Sequence, residues 1–398
     1  MIRRPGAVRY DDGDMTQGER PEARAAIGLA EPSISDDDLV AVATVLRSGW
    51  LTSGRESVAL EQELGEYLGI PHVIAVSSGT AALELSFAYL DLPRGARVGV
   101  PSWTFPASAF APFHHGASIV LLDSEPETMN VSVDSLDAAL EAGLDAVVLV
   151  HFGGTPVSEV VHAHCRAAGV PIVEDAAHAL GASDHRGRIA GAGTAGAAFS
   201  FYATKNLTSG EGGALATDDP ELARFATAYR LHGLTRKPGA AWDPRAVTDI
   251  IGPGYKSNLS DILAALARSQ LHRFDELQAR RRAAVLRYRR HLSGVDGLSM
   301  VPRQLDEGNA DHLLTVALPP HVDRRKVFDR LHAVGIGTSL HFRPLHDYEW
   351  FAANATIGPS GVPVADEMAD RLLSLPLHPG LTDTDVDRVC EIFAGALT

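Results

Sequence analysis

Five short apolar runs, each followed by a stretch of helical pattern, limit how this chain can fold more than any other feature. They are His72-Val-Ile-Ala-Val, Arg97-Val-Gly-Val, Ala117-Ser-Ile-Val-Leu-Leu, Ala146-Val-Val-Leu-Val and Val170-Pro-Ile-Val. Near-continuous apolarity over four to six residues marks strands buried on both faces, and alternation with helices marks an α/β architecture around a mostly parallel sheet. Ligands of such sheets gather beyond the carboxyl ends of the strands, so the loops after each run are where chemistry is to be sought. Residues 1–24 are polar, carry no periodicity and read as a flexible arm, with a large domain expected over 25–255. A long helical pattern from Ser260 to about Leu292 then leads into a smaller C-terminal α/β domain, the two together covering 256–398. The basic run Arg280-Arg-Arg, with Arg287 and Arg289-Arg, reads as a solvated or interface helix face.

Charge narrows the partners. The chain has 398 residues and a formal net charge of −15, so no field attracts a nucleic-acid backbone or an anionic membrane. Any anionic ligand must be held by a local site. Cys165 and Cys390 are the only cysteines and lack the spacing of a metal cage or disulfide framework. That points to a reducing cytoplasm and to no metal, and no apolar run is long enough to suggest export or membrane spanning.

Three segments carry chemistry. Val76-Ser-Ser-Gly-Thr-Ala-Ala closes a strand and opens a helix at Ala81, where unpaired N–H groups and the helix dipole form a phosphate seat at Gly79 and Thr80. Alone, it reads equally as a plain N-cap. Ile172-Val-Glu-Asp-Ala-Ala-His ends a buried strand in carboxylates, so Asp175 calls for a cation or a ligand. Ala197-Ala-Phe-Ser-Phe-Tyr-Ala-Thr-Lys places Lys205 in a loop rich in small residues. A lysine there reads as a surface charge or, desolvated, as a Schiff-base lysine. Together the three fit one ligand, pyridoxal phosphate, with its aldehyde on Lys205, its ring nitrogen at Asp175 and its phosphate at Gly79, Thr80 and Ser200.

At this point the sequence resembles the fold-type-I aminotransferases, and among them the DegT/DnrJ/ArnB group of nucleotide-sugar aminotransferases. The matching motifs run from Ser48-Gly-Trp-Leu-Thr-Ser-Gly through Ser77-Ser-Gly-Thr-Ala-Ala-Leu, Pro101-Ser-Trp-Thr-Phe, Glu174-Asp-Ala-Ala-His and Ser200-Phe-Tyr-Ala-Thr-Lys-Asn. They continue through Gly254-Tyr-Lys-Ser-Asn, Gly335-Ile-Gly-Thr-Ser-Leu-His-Phe-Arg-Pro-Leu-His and Leu373-Ser-Leu-Pro-Leu-His-Pro-Gly, so the resemblance covers about residues 25–397.

The resemblance implies a large domain with a parallel central sheet, a smaller C-terminal domain, and a homodimer with shared active sites. It assigns Lys205 to the cofactor linkage and proton transfer, Asp175 to the pyridine nitrogen, His178 to the ring near its hydroxyl, and Phe105 to stacking on the ring. Trp103 then points into the core or a subunit contact. Many relatives have Asn where Lys256 stands and Arg where Asn258 stands, in a segment that reaches the partner's cofactor phosphate, so either residue is a candidate for that contact. His341 and Arg343 resemble site-lining positions, and His151 is expected near the pocket. The pair His162 and Cys165, one helical turn apart, reads as structural. The implied reaction takes the amino group of L-glutamate to a keto sugar carried on a nucleoside diphosphate, at C4 of a 4-keto-6-deoxyhexose. Amination at C3, a keto-cyclitol acceptor and a non-catalytic cofactor-binding regulator remain the alternatives. A dehydratase of the same fold has histidine in place of the lysine, and Lys205 speaks against it.

Overall fold

The computed structural model describes residues 26–185, 187–189, 191–235 and 249–397. The arm expected over 1–24 lies outside them. The five apolar runs form β1 His72–Val76, β2 Arg97–Pro101, β3 Ser118–Leu122, β4 Ala146–Val150 and β5 Ile172–Asp175. After a small hairpin, β6 Ser183–Asp184 and β7 Gly187–Arg188, come β8 Ala197–Ser200 and β9 Gly213–Thr217. The C-terminal part adds β10 Ser299–Val301, β11 Leu314–Ala317, β12 Ala355–Ile357 and β13 Leu372–Leu375.

The central sheet has eight strands in the order β1-β9-β8-β5-β4-β2-β3-β12, and β9 alone runs against the others. Alternate residues feed different cores, as β1 shows. Val73 and Ala75 pack with Leu60, Leu64 and Phe274, while Ile74 and Val76 pack with Leu83, Phe87 and Leu222. The apolar continuity of the runs follows from this two-sided burial. β12 arrives from the C-terminal part and pairs in parallel with β3, closing that edge of the sheet.

The long helical pattern after Ser260 is broken at Arg273 into helices Asp261–His272 and Phe274–Leu292. The first packs against helices Asp36–Ser48 and Arg55–Leu68. Its Asp261 accepts from Gly54 N–H at 2.7 Å and Ser57 N–H at 3.0 Å, capping a helix whose own N-cap, Gly54, has no side chain. Residues 261–272 therefore pack with the large half, although the sequence places a boundary at 255. The second helix packs on the sheet β10-β11-β13 with Ile27 and helix Asp383–Ala396. Its basic face is an interface: Arg281 is buried and donates to Leu377 O at 3.1 Å, and Arg282 pairs with Asp311 at 2.6 Å.

Candidate active site

The carboxyl ends of β1, β5 and β8 converge on one cavity of about 450 Å³. At its β1 end Ser78 caps helix Gly79–Leu90 by accepting from Ala81 N–H at 3.1 Å, so the helix opens two residues before Ala81. The N–H groups of Gly79 and Thr80 are left without intrahelical acceptors. This helix end is pressed onto the sheet. A Cβ at Gly213 of β9 would lie 2.5 Å from Ser78 C and 2.6 Å from Gly79 N, so only glycine permits that contact. Ser200, the last residue of β8, lies beside Gly79 on the cavity wall.

Asp175 closes β5 with 7% of its surface exposed. Its Oδ1 accepts from Ala177 N–H at 3.1 Å and its Oδ2 from the Ser108 hydroxyl at 2.6 Å. The Ser108 proton is thereby committed, so the Thr104 hydroxyl donates to Ser108 Oγ at 2.7 Å. A carboxylate so held is fixed in place before any ligand arrives. Lys205 sits in a turn beyond β8, its N–H donating to Tyr202 O at 2.9 Å. Burial lowers its ammonium to about 8, and the attraction of Asp175 only partly opposes this.

Three histidines face the same cavity. His178 Nδ1 accepts from Gly153 N–H at 3.3 Å, and His341 Nδ1 lies 2.9 Å from Ser374 Oγ. Burial and the neighbouring Lys205 depress both, His341 to about 4. The third, His312, was not singled out from the sequence, nor were Thr204, Glu211 or Phe342, which also line the cavity. Asn-Ala-Asp-His carries no motif, and the loop reaches the site by docking on Gly153 and Gly154 through backbone hydrogen bonds.

Phe105 stands on the cavity wall with 57% of its surface exposed and Phe342 at 5.8 Å, whereas Trp103 is fully buried and donates to His341 O at 3.1 Å. Gly79, Thr80, Phe105, Asp175, His178, Ser200, Lys205 and His341 thus share one space. His151 does not. Its ring turns to the other side of the sheet, fully buried, with Nδ1 accepting from Val157 N–H at 3.0 Å and Nε2 3.6 Å from Glu174. This corrects its expected place near the pocket. Arg343 is exposed over the Tyr348 ring and donates to Asp347 O, outside the cavity lining. Lys256 and Asn258 bond to each other, and Asn258 reaches Ser53 Oγ at 2.6 Å. They too lie outside this chain's cavity.

Among the described residues no cluster of three or more His, Cys, Asp or Glu is placed to hold a metal ion. Nor is any helix long and apolar enough to cross a membrane. A partly buried lysine whose ammonium is lowered by desolvation, a fixed carboxylate, a free helix N-terminus and an aromatic face left bare in a cavity fit a flat, phosphorylated, cationic heterocycle.

That class of site agrees with the comparisons. Residues 32–394 match the DegT/DnrJ/EryC1/StrS aminotransferase family, and the chain belongs to it. It is an enzyme of the aminotransferase class. Among similar solved structures is Helicobacter pylori PseC, an aminotransferase involved in the biosynthesis of pseudoaminic acid. It is 25% identical with a TM-score of 0.87, over 94% of this chain and 99% of that one. The sugar aminotransferase CalS13 from Micromonospora echinospora is 29% identical with a TM-score of 0.83, over 93% and 99%. Spr1654 from Streptococcus pneumoniae, 28% identical over 94% and 98%, has been solved in PLP and PMP forms with TM-scores of 0.84 and 0.85.

Proposed function

We propose that this chain uses pyridoxal phosphate to move the amino group of L-glutamate onto the keto carbon of a nucleotide-linked sugar, at C4 of a 4-keto-6-deoxyhexose. The observation that carries the reading is the confinement of Lys205 and Asp175 to one cavity with the open N-terminus of helix Gly79–Leu90. The PLP and PMP forms of Spr1654 and the sugar activity named for CalS13 support it.

When bound, the cofactor supplies a carbonyl that condenses with amines and a ring that takes up electrons. The protein does the rest. Gly79, Thr80 and Ser200 would hold the phosphate, Phe105 the ring face, and His178 the ring near its hydroxyl. Asp175 would keep a proton on the ring nitrogen, and Ser108 and Ala177 keep the carboxylate in place for that. Lys205 Nζ, with its value near 8, is partly neutral near physiological pH and can both attack a carbonyl and accept a proton. His341 would face the sugar, and Arg343 would reach it only by leaving Tyr348.

We further infer a homodimer with two shared sites. Leu39, Val40, Leu46, Trp50 and Leu51 are all exposed on or just after helix Asp36–Ser48, a patch that a second copy would cover. Lys256 and Asn258 lie near it, through the Asn258 contact to Ser53, and would reach the partner's phosphate.

Purified enzyme should show a near-visible cofactor absorbance that shifts on adding L-glutamate and recovers on adding the keto sugar nucleotide. Lys205→Ala should abolish turnover. Sustained turnover by that variant without an added amine would refute the assignment.

A further inference from the structure

His312 is 6% exposed and lines the cavity that holds Lys205. Its Nδ1 lies 2.9 Å from Asn206 Oδ1. The orientation of that amide is settled by its other contacts. Ala310 O, a carbonyl that can only accept, lies 2.7 Å from Asn206 Nδ2, and Gln278 Oε1 lies 2.9 Å from the same nitrogen. Gln278 is fixed in turn, because its own Nε2 donates to Ala310 O at 2.8 Å. Both amide protons of Asn206 are thus used, and its oxygen must be the atom facing His312. The histidine proton therefore resides on Nδ1, leaving a bare lone pair on Nε2.

That lone pair has no partner among the described residues. At the cavity wall an acceptor with no protein donor is free to take one from a ligand. His178 is wired the other way: its Nδ1 accepts from Gly153, so the neutral ring keeps its proton on Nε2. The two rings lie 4.3 Å apart, yet only His312 offers an acceptor. His312 also borders a small adjoining space with Leu29, Leu314, His341 and Leu375, on the side of the C-terminal part.

Resting on the proposed sugar aminotransferase reading, we propose that His312 is the hydrogen-bond acceptor for a hydroxyl of the amino-accepting sugar, with Asn206 as the positioning residue that locks its tautomer. The carboxylates of L-glutamate offer no donor to this nitrogen, and its ammonium proton is lost in the reaction. The two half-reactions therefore depend on His312 unequally. A keto sugar with a free hydroxyl beside the carbonyl binds here, and its deoxygenated counterpart leaves the lone pair unmet.

Nitrogen NMR of imidazole-labelled holoenzyme should find the His312 proton on Nδ1, and a proton on Nε2 would overturn the proposal. In single turnovers, His312→Phe should slow amination of a 4-keto-6-deoxyhexose nucleotide about 10- to 100-fold more than it slows the reaction with glutamate. His312→Gln, whose amide oxygen can accept, should recover most of that difference. Asn206→Leu, which frees the tautomer, should show the same imbalance with a smaller amplitude and a shifted NMR signal. Equal losses in both halves, or no loss with the sugar, would sink the inference. If the wild-type enzyme fails to react with glutamate at all, the aminotransferase reading falls instead, while the NMR result still decides the tautomer.

Discussion

Glu174 and Asp175 are neighbours on β5 and share its burial, yet one is closed into the protein and the other opens to the cavity. Asp175 faces the side of helix Gly79–Leu90, held by a hydroxyl and a backbone N–H. Glu174 points to the opposite side, where its Oε1 lies 2.8 Å from His162 Nε2 and 3.6 Å from His151 Nε2. Burial alone would raise the Glu174 carboxyl, but the hydrogen bond with His162 and the nearness of His151 hold it far below the usual range. An acid in a strand can thus be spent on structure or kept for chemistry. The difference lies in which partners the fold brings to it.

The largest expected effect comes from breaking the closed side. His162→Leu removes the nearer partner of Glu174 and strands a buried charge, which costs about 3–5 kcal/mol of stability. Glu174 has a depressed folded value, so its contribution is present above the ordinary 4.5 and is lost as pH falls below it. Denaturant unfolding at neutral and acid pH should show the variant both weakened and flatter in its acid dependence. Activity per folded molecule should stay near wild type. A large loss of turnover with stability intact would mean that the two acids are not divided in this way.

On the open side the pattern reverses. Asp175→Asn keeps an oxygen for Ala177 N–H, and Ser108 can accept from the new amide by turning its own proton to Thr104, so the variant should unfold at nearly the same denaturant concentration as wild type. Its turnover should fall roughly 10²- to 10³-fold, because an amide cannot hold a proton on the ring nitrogen as a carboxylate can. Measuring kcat beside the unfolding midpoint separates the two carboxylates. Near-native kcat in Asp175→Asn would remove the contrast.

The contrast itself was only half legible in the sequence. The five apolar runs become β1 to β5 because two-sided burial writes itself as continuous hydrophobicity, and loops beyond such strands are the expected place for Lys205 and the helix start at Ser78. Which acid of Glu174-Asp175 faces the cavity depends on strand register against helices distant in the chain. His162 looked structural from its helix, but the carboxylate it meets could not be read from spacing. His151 was misplaced for the same reason, since one residue beyond Val150 the side chain emerges on the other face of the sheet. His312 was missed because its loop is brought in by docking on Gly153, and β12 because three residues carry too little pattern to announce a strand. The break at Arg273 has no Gly or Pro to mark it, and the boundary at 255 fails to anticipate Asp261 capping a helix some two hundred residues earlier.

The smallest expected effect lies at the alkaline end and belongs to the open side. Burial holds Lys205 at about 8 when folded, against an ordinary 10.5. Between these values the unfolded chain binds a proton that the folded chain does not, so this group makes stability rise with pH across the window. One proton gives a slope of at most about 1.4 kcal/mol per pH unit, and the residual exposure of Lys205 lowers it. The buried thiols of Cys165 and Cys390, pushed up to about 11 and 12 by burial, act in the opposite sense as pH climbs past their ordinary 9.0. The useful readout is therefore a difference. In cofactor-free protein, Lys205→Met should gain stability relative to wild type at pH 7 and lose that advantage as pH approaches 10.5. His162→Leu should leave this alkaline difference untouched, because its partner Glu174 titrates only in acid. An advantage for Lys205→Met that does not fade with rising pH would show that the lysine is not held in a desolvated, charge-averse position, and the open side of β5 would lose its distinguishing cation.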